Sequence, residues 1–134
     1  MGRSRVIVLD THVVIWLAEA PDLLSEAATE AIRSERQSGL LAISDLTLLE
    51  LAGILSGGRV AVRTSLRAFL AEVERSFTIL PVTGVIAERT MLFSPAYPKD
   101  PVDRVIGATA LAHSCKLVTK DDLIRRSQEV DCVW

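Results

Sequence analysis

Cysteine and histidine are scarce in this chain, with two of each in 134 residues. Cys115 and Cys132 lack metal-ligand spacing and stand beside or within apolar strands, so buried free thiols in a reducing cytosol are expected rather than a disulfide. With no second histidine at metal spacing from His12, His12 reads as a turn or capping residue, and a zinc site is not expected. No apolar run reaches the roughly 18 residues of a membrane span. Residues 6–9 are too short for a signal-peptide core despite the nearby Arg3 and Arg5. Charge of one sign is lacking too: 15 Lys and Arg stand against 17 Asp and Glu, a formal net charge of −2. This denies the protein the broad positive field by which many proteins hold nucleic acid, so any such role needs local cations or a bound metal ion. Internal repeats, linkers and low-complexity stretches are absent, and one domain over residues 1–134 is expected.

What is present is an alternation of strand and helix patterns. Apolar strands are expected over 5–9, 40–43, 77–82, 116–119 and 130–134. Helices are expected from 13, over 26–36, 45–56, 65–74, 83–92 and 101–112, with a short helical turn over 123–128. Ser25, Ser44, Thr83 and Asp100 stand where helix caps belong, and Pro101 suits a first helical position. Pairs of strand and helix joined by short links argue an α/β fold on a parallel sheet with right-handed crossovers. Arg59, Arg63 and Arg67 recur every fourth residue; if that segment is helical they form one stripe, read either as a solvated face or as a phosphate- or partner-contacting edge.

Four acids stand out on this framework. Asp10 and Asp121 end strands, and Glu50 is the only charge in the apolar body of its helix. Asp103 lies at the third position of a helix, where a carboxylate also favours the dipole. All four belong near the carboxyl edge of the sheet, where open α/β proteins bind ligands. Carboxylates gathered there repel one another unless a cation intervenes. An all-oxygen donor set suits Mg²⁺ or Mn²⁺, which activates water and offsets charge on a phosphodiester.

The segments Val-Leu-Asp-Thr-His-Val-Val-Ile-Trp from Val8, Ser-Asp-Leu-Thr-Leu-Leu-Glu-Leu from Ser44, Lys-Asp-Pro-Val-Asp-Arg-Val-Ile-Gly-Ala-Thr-Ala from Lys99 and Leu-Val-Thr-Lys-Asp from Leu117 carry a family resemblance. In matching order and over essentially the whole chain, they resemble PIN-domain ribonucleases, most of all the VapC toxins of bacterial type II toxin–antitoxin pairs. The resemblance implies a PIN-like α/β fold, a central mostly parallel β-sheet flanked by α-helices. It also implies cytoplasmic endoribonuclease activity leaving a 5′-phosphate and a 3′-hydroxyl, one or two Mg²⁺ or Mn²⁺ ions held by Asp10, Glu50, Asp103 and Asp121, and Thr11 and Thr119 orienting those acids. Arg104 and Lys120 are the candidate RNA contacts. A homodimer, a cognate antitoxin and no membrane association complete the expectation. Asp100 beside Asp103 and Asp122 beside Asp121 leave each pair a capping and a metal-binding alternative. Other classes were weighed: an RNA-processing PIN nuclease outside a toxin–antitoxin pair, a PIN-like domain that only binds RNA or a partner, a receiver-like signalling domain with Lys120 as its late lysine, and a haloacid-dehalogenase-like phosphatase. The last would want an acid where His12 stands.

Overall fold

The computed structural model describes residues 6–58 and 60–134. Arg3, Arg5 and Arg59 lie outside them. Five strands form one sheet among the described residues: β1 (Val6–Leu9), β2 (Leu40–Ser44), β3 (Thr78–Leu80), β4 (Lys116–Val118) and β5 (Cys132–Val133). Every pairing is parallel and the order is β3-β2-β1-β4-β5. The helices are α1 (Thr11–Glu19), α2 (Glu26–Ser38), α3 (Asp45–Ser56), α4 (Leu66–Ser76), α5 (Gly84–Thr90), α6 (Pro101–Ala112) and α7 (Asp122–Ser127). None is long and apolar enough to cross a membrane.

Strand alternation divides the core in two. Ile7, Leu9, Leu41, Ile43 and Val118 pack on one face with α1 to α4, through side chains such as Val14, Ile32, Leu51 and Phe69. Val8, Ala42 and Leu117 turn to the other face, where Ile86, Ile106, Ala108 and Ile124 of α5 to α7 cover them. Burial on both faces is why β1 and β2 read as unbroken apolar runs rather than alternating ones.

Helix starts follow local chemistry. Each of the seven helices begins after a Ser, Thr or Asp whose side-chain oxygen accepts a hydrogen bond from a first-turn N–H. Several elements differ from expectation at their edges. α1 starts at Thr11 because Asp10 is itself the cap, which puts His12 in the helix rather than in a turn. β3 ends at Leu80, since Pro81 has no N–H to give a ladder. β5 keeps only two residues, as an edge strand paired on one side. The expected arginine stripe does not form as one helix: α4 begins at Leu66, so Arg63 lies in the preceding loop, paired with Glu19 at 3.5 Å.

Strand order carries the functional consequence. From β1 the chain builds outward through β2 to β3, then returns across the sheet to add β4 and β5 on the other side of β1. The reversal lies between β1 and β4, and a crevice at the carboxyl end of such a switch point is where open α/β sheets bind ligands. A receiver-type order would place the third strand beside the first; here β3 lies outside β2, which removes that alternative.

Candidate active site

Asp10 follows β1 directly, and its backbone N–H donates to the Val118 carbonyl at 3.0 Å, tying the two strand ends at the switch point. Its carboxylate is held on both oxygens: the Thr11 N–H donates to Oδ1 at 2.9 Å and the Thr119 hydroxyl to Oδ2 at 2.7 Å. The same Thr119 hydroxyl accepts from the Asp121 N–H at 3.0 Å. Fully buried Thr119 therefore uses its proton on one acid and a lone pair on the backbone of another. This fits the orienting role expected of it.

Thr11 behaves differently from expectation. Its hydroxyl meets no acid but pairs with the Thr47 hydroxyl at 3.2 Å, both residues being fully buried. Only the Thr11 backbone reaches Asp10, while its side chain joins α1 to α3, the helix that carries Glu50. Thr47 drew no attention in the sequence because a threonine in an apolar helix carries no signal without its partner.

Asp121 caps α7 by accepting from the Ile124 N–H at 3.0 Å, and Asp100 caps α6 by accepting from the N–H groups of Val102 and Asp103 at 2.8 and 3.2 Å. With Asp10 on α1, three helix N-termini carry acids at this site. Capping and site assembly are thus one arrangement, because the positive helix ends make close carboxylates tolerable. Asp122 is set apart by its ion pair with Arg125.

Asp10, Glu50, Asp103 and Asp121 all line one cleft of about 490 Å³, joined by Asp100, His12, Val13, Trp16 and Lys120. The acids act on one another. Burial, followed by the charges of Asp10, Asp100, Asp121 and Glu50, pushes the Asp103 carboxyl up to about 7. Burial also raises Asp10, against the lowering effect of its hydrogen bonds from Thr119 and Thr11 and of nearby His12. Among the described residues, no three His, Cys, Asp or Glu side chains converge as a ready-made metal cage. Mg²⁺ does not require one, since it commonly takes one or two carboxylates and keeps several waters. An all-carboxylate lining with mutually raised acids therefore fits a hard divalent cation.

The structure does not bring Arg104 to the cleft. Its guanidinium donates to the carbonyls of Pro98 at 2.8 Å and Thr90 at 3.1 Å and lies over the Phe93 ring, so it fastens the loop before α6. Lys120 does line the cleft, with Nζ 5.7 Å from the centre of the Trp16 ring.

Sequence reasoning also missed Tyr97. Its buried hydroxyl donates to the Asp103 carbonyl at 3.1 Å, and its ring stacks on Phe93 at 3.9 Å. The available signal was Gly107, a glycine inside a good helix. A Cβ there would overlap the Tyr97 hydroxyl and come within 2.9 Å of its Cζ and 3.1 Å of the Phe93 Cζ. Gly107 thus admits the aromatic pair rather than serving close approach to the sheet alone. Gly107→Ala is expected to destabilise by about 1–3 kcal/mol through overpacking, despite the better helix propensity of alanine, as read by urea unfolding. An unchanged or raised stability would refute this packing account.

The two neighbouring acids at β4 give a further contrast. Asp121→Asn removes a charge from the cleft while asparagine still caps α7, so the fold survives and cation affinity falls; Asp122→Asn loses only an exposed ion pair with little effect on either. Calorimetric titration with Mn²⁺ checks both variants, and equal losses would mean that the cleft does not distinguish them.

The PIN domain family model matches residues 7–129. Ribonuclease VapC22 of Mycobacterium tuberculosis (strain ATCC 25618 / H37Rv) is 31% identical over 119 residues, 89% of each chain. In fold, the chain is similar to VapBC2 from Rickettsia felis bound to a promoter DNA fragment, with TM-score 0.73, 14% identity and coverage of 95% of this chain and 96% of that one. It is likewise similar to DNA-bound VapBC from Salmonella typhimurium, with TM-score 0.69, 20% identity and 97% coverage of both. With its parallel sheet, its acids at the β1–β4 switch point and this match along nearly its whole length, the chain belongs to the PIN domain family.

Proposed function

We propose that residues 1–134 form one PIN domain acting as a divalent-cation-dependent endoribonuclease of the cytoplasm, the toxin of a type II toxin–antitoxin pair. The observation that carries this reading is the acid cleft, in which four other carboxylates help push Asp103 up to about 7. Likeness to a ribonuclease over most of the chain supports RNA as the substrate.

In this reading Asp10, Glu50, Asp103 and Asp121 hold Mg²⁺ or Mn²⁺. When bound, such an ion lowers the pKa of a water and offsets charge on the phosphodiester. The chain's own part is positioning. Thr119 fixes Asp10 relative to Asp121, the Thr11–Thr47 pair fixes α3 and with it Glu50, and Tyr97 braces the backbone at Asp103. Lys120 places a cation at the cleft for a substrate phosphate. Hydrolysis by water attack leaves a 5′-phosphate and a 3′-hydroxyl.

A cognate antitoxin and a homodimer belong to the same proposal. Fold likeness to toxin–antitoxin complexes supports the first. The second has support from apolar side chains left in solvent: Leu49 on α3 is 69% exposed and Val85 on α5 is 60% exposed. Purified protein free of any inhibitor is expected to cut RNA with Mg²⁺ or Mn²⁺ and to stop in EDTA, read by gel analysis of a broad RNA panel. Undiminished cutting in EDTA overturns the metal requirement, and failure to cut any RNA overturns the nuclease. Growth unaffected by expressing the protein alone removes the toxin role, and a monomer by light scattering at micromolar concentration removes the dimer.

A further inference from the structure

The cleft has a second lining that the acids do not use. His12 and Trp16 lie four residues apart on α1 and so share a helix face, with ring centres 5.9 Å apart and planes tilted by 49°. Trp16 is backed by Trp134, just past β5, at 5.9 Å, and Lys120 Nζ lies 5.7 Å from the Trp16 ring centre. His12, Trp16 and Lys120 all line the cleft beside the acids; His12 and Lys120 are exposed and Trp16 is half-buried. Trp16 also packs against the core, but that alone leaves the exposed imidazole and the lysine beside it without a use.

RNA is a polyanion, and a cleft rich in carboxylates opposes it. The net charge of −2 adds no compensating field. Affinity must then come partly from contacts indifferent to charge, and stacking of a base on an aromatic ring is such a contact. An aromatic ring braced from behind, with a cation at its edge, presents one surface to a base and one charge to the adjoining phosphate. We propose that Trp16 and His12 form a stacking platform for an unpaired nucleobase beside the scissile phosphate, with Lys120 holding a neighbouring phosphate. The substrate class is therefore single-stranded or looped RNA, because a base inside a duplex has both faces covered by its neighbours. This rests on the nuclease reading above and adds to it which bases are admitted.

Both tryptophans of the chain, Trp16 and Trp134, belong to this cluster, so intrinsic fluorescence reports on it directly. The test uses the full chain carrying Asp103→Asn to suppress cleavage, with Mg²⁺, titrated with a single-stranded RNA oligonucleotide and with a blunt RNA duplex. The single strand is expected to quench the fluorescence and to bind more tightly than the duplex. Adding Trp16→Leu, which keeps an apolar side chain against the core, is expected to weaken single-strand binding about tenfold by anisotropy of labelled RNA, while Trp16→Phe restores most of it. His12→Ala, at an exposed position with no bearing on folding, is expected to lose severalfold in the same direction. Single-strand affinity unchanged in both Trp16→Leu and His12→Ala overturns the platform while metal-dependent cutting by the unmodified protein leaves the nuclease reading standing. If the unmodified protein neither binds nor cuts any RNA, both fall together.

Discussion

Asp103→Asn is expected to lower RNA cleavage by about three orders of magnitude, the scale of several kcal/mol of charge stabilisation removed from the reacting phosphate. Asparagine keeps the shape of the side chain at the third position of α6, so the fold persists and circular dichroism is unchanged. Asp100→Asn is the control that makes the result specific. Asp100 lies on the same cleft three residues earlier, but its carboxylate accepts from the N–H groups of Val102 and Asp103, and asparagine caps about as well as aspartate. Its charge is one of those that raise Asp103, so the substitution draws Asp103 back toward the ordinary carboxylate range and changes cleavage by no more than severalfold. Rates under single-turnover conditions compare the two. Loss of activity in Asp100→Asn with activity retained in Asp103→Asn would show that the assignment within this pair is reversed.

The second large effect is on stability. In the metal-free protein the Asp103 carboxyl is raised from 3.8 to about 7, so the folded chain holds a proton that the unfolded chain releases. Below pH 3.8 both states are protonated and the raised pKa contributes its full share of stability. That share is lost as pH climbs toward 7, because folding must then either retain the proton or hold a carboxylate among carboxylates. Allowing for solvent screening at a partly buried group, the loss is on the order of 2 kcal/mol between pH 4 and pH 8, or roughly 5 °C in melting temperature. Mn²⁺ at pH 8 is expected to recover it by binding only the folded state. Asp103→Asn should flatten both the pH dependence and the metal response. A metal-free melting temperature that rises from pH 4 to pH 8 in the unmodified protein, and does so less in Asp103→Asn, would contradict the assigned electrostatics.

The chain's own letters determined a great deal here. Strand and helix identity followed from apolar runs and from Ser, Thr and Asp caps, because those are contacts between residues a few positions apart; α3 begins and ends where Ser44 and Gly57 place it. The four acids were legible because each interrupts an apolar pattern or ends a strand, places where an uncompensated charge is costly. Tertiary structure decided what each neighbour does. Whether Arg104 faces RNA or fastens a loop depends on the carbonyls of Pro98 and Thr90, six and fourteen residues away. Thr11 and Thr119 follow strand residues alike, yet one hydroxyl meets Thr47 and the other bridges Asp10 to Asp121 across the sheet. The aromatic lining of the cleft needs Trp134 from the far end of the chain, and the tolerance of Gly107 needs Tyr97 from a loop. Local hydrogen bonding and periodicity are written in adjacent residues, whereas side-chain partners at long range are fixed only when the parallel sheet brings the ends of β1 and β4 together.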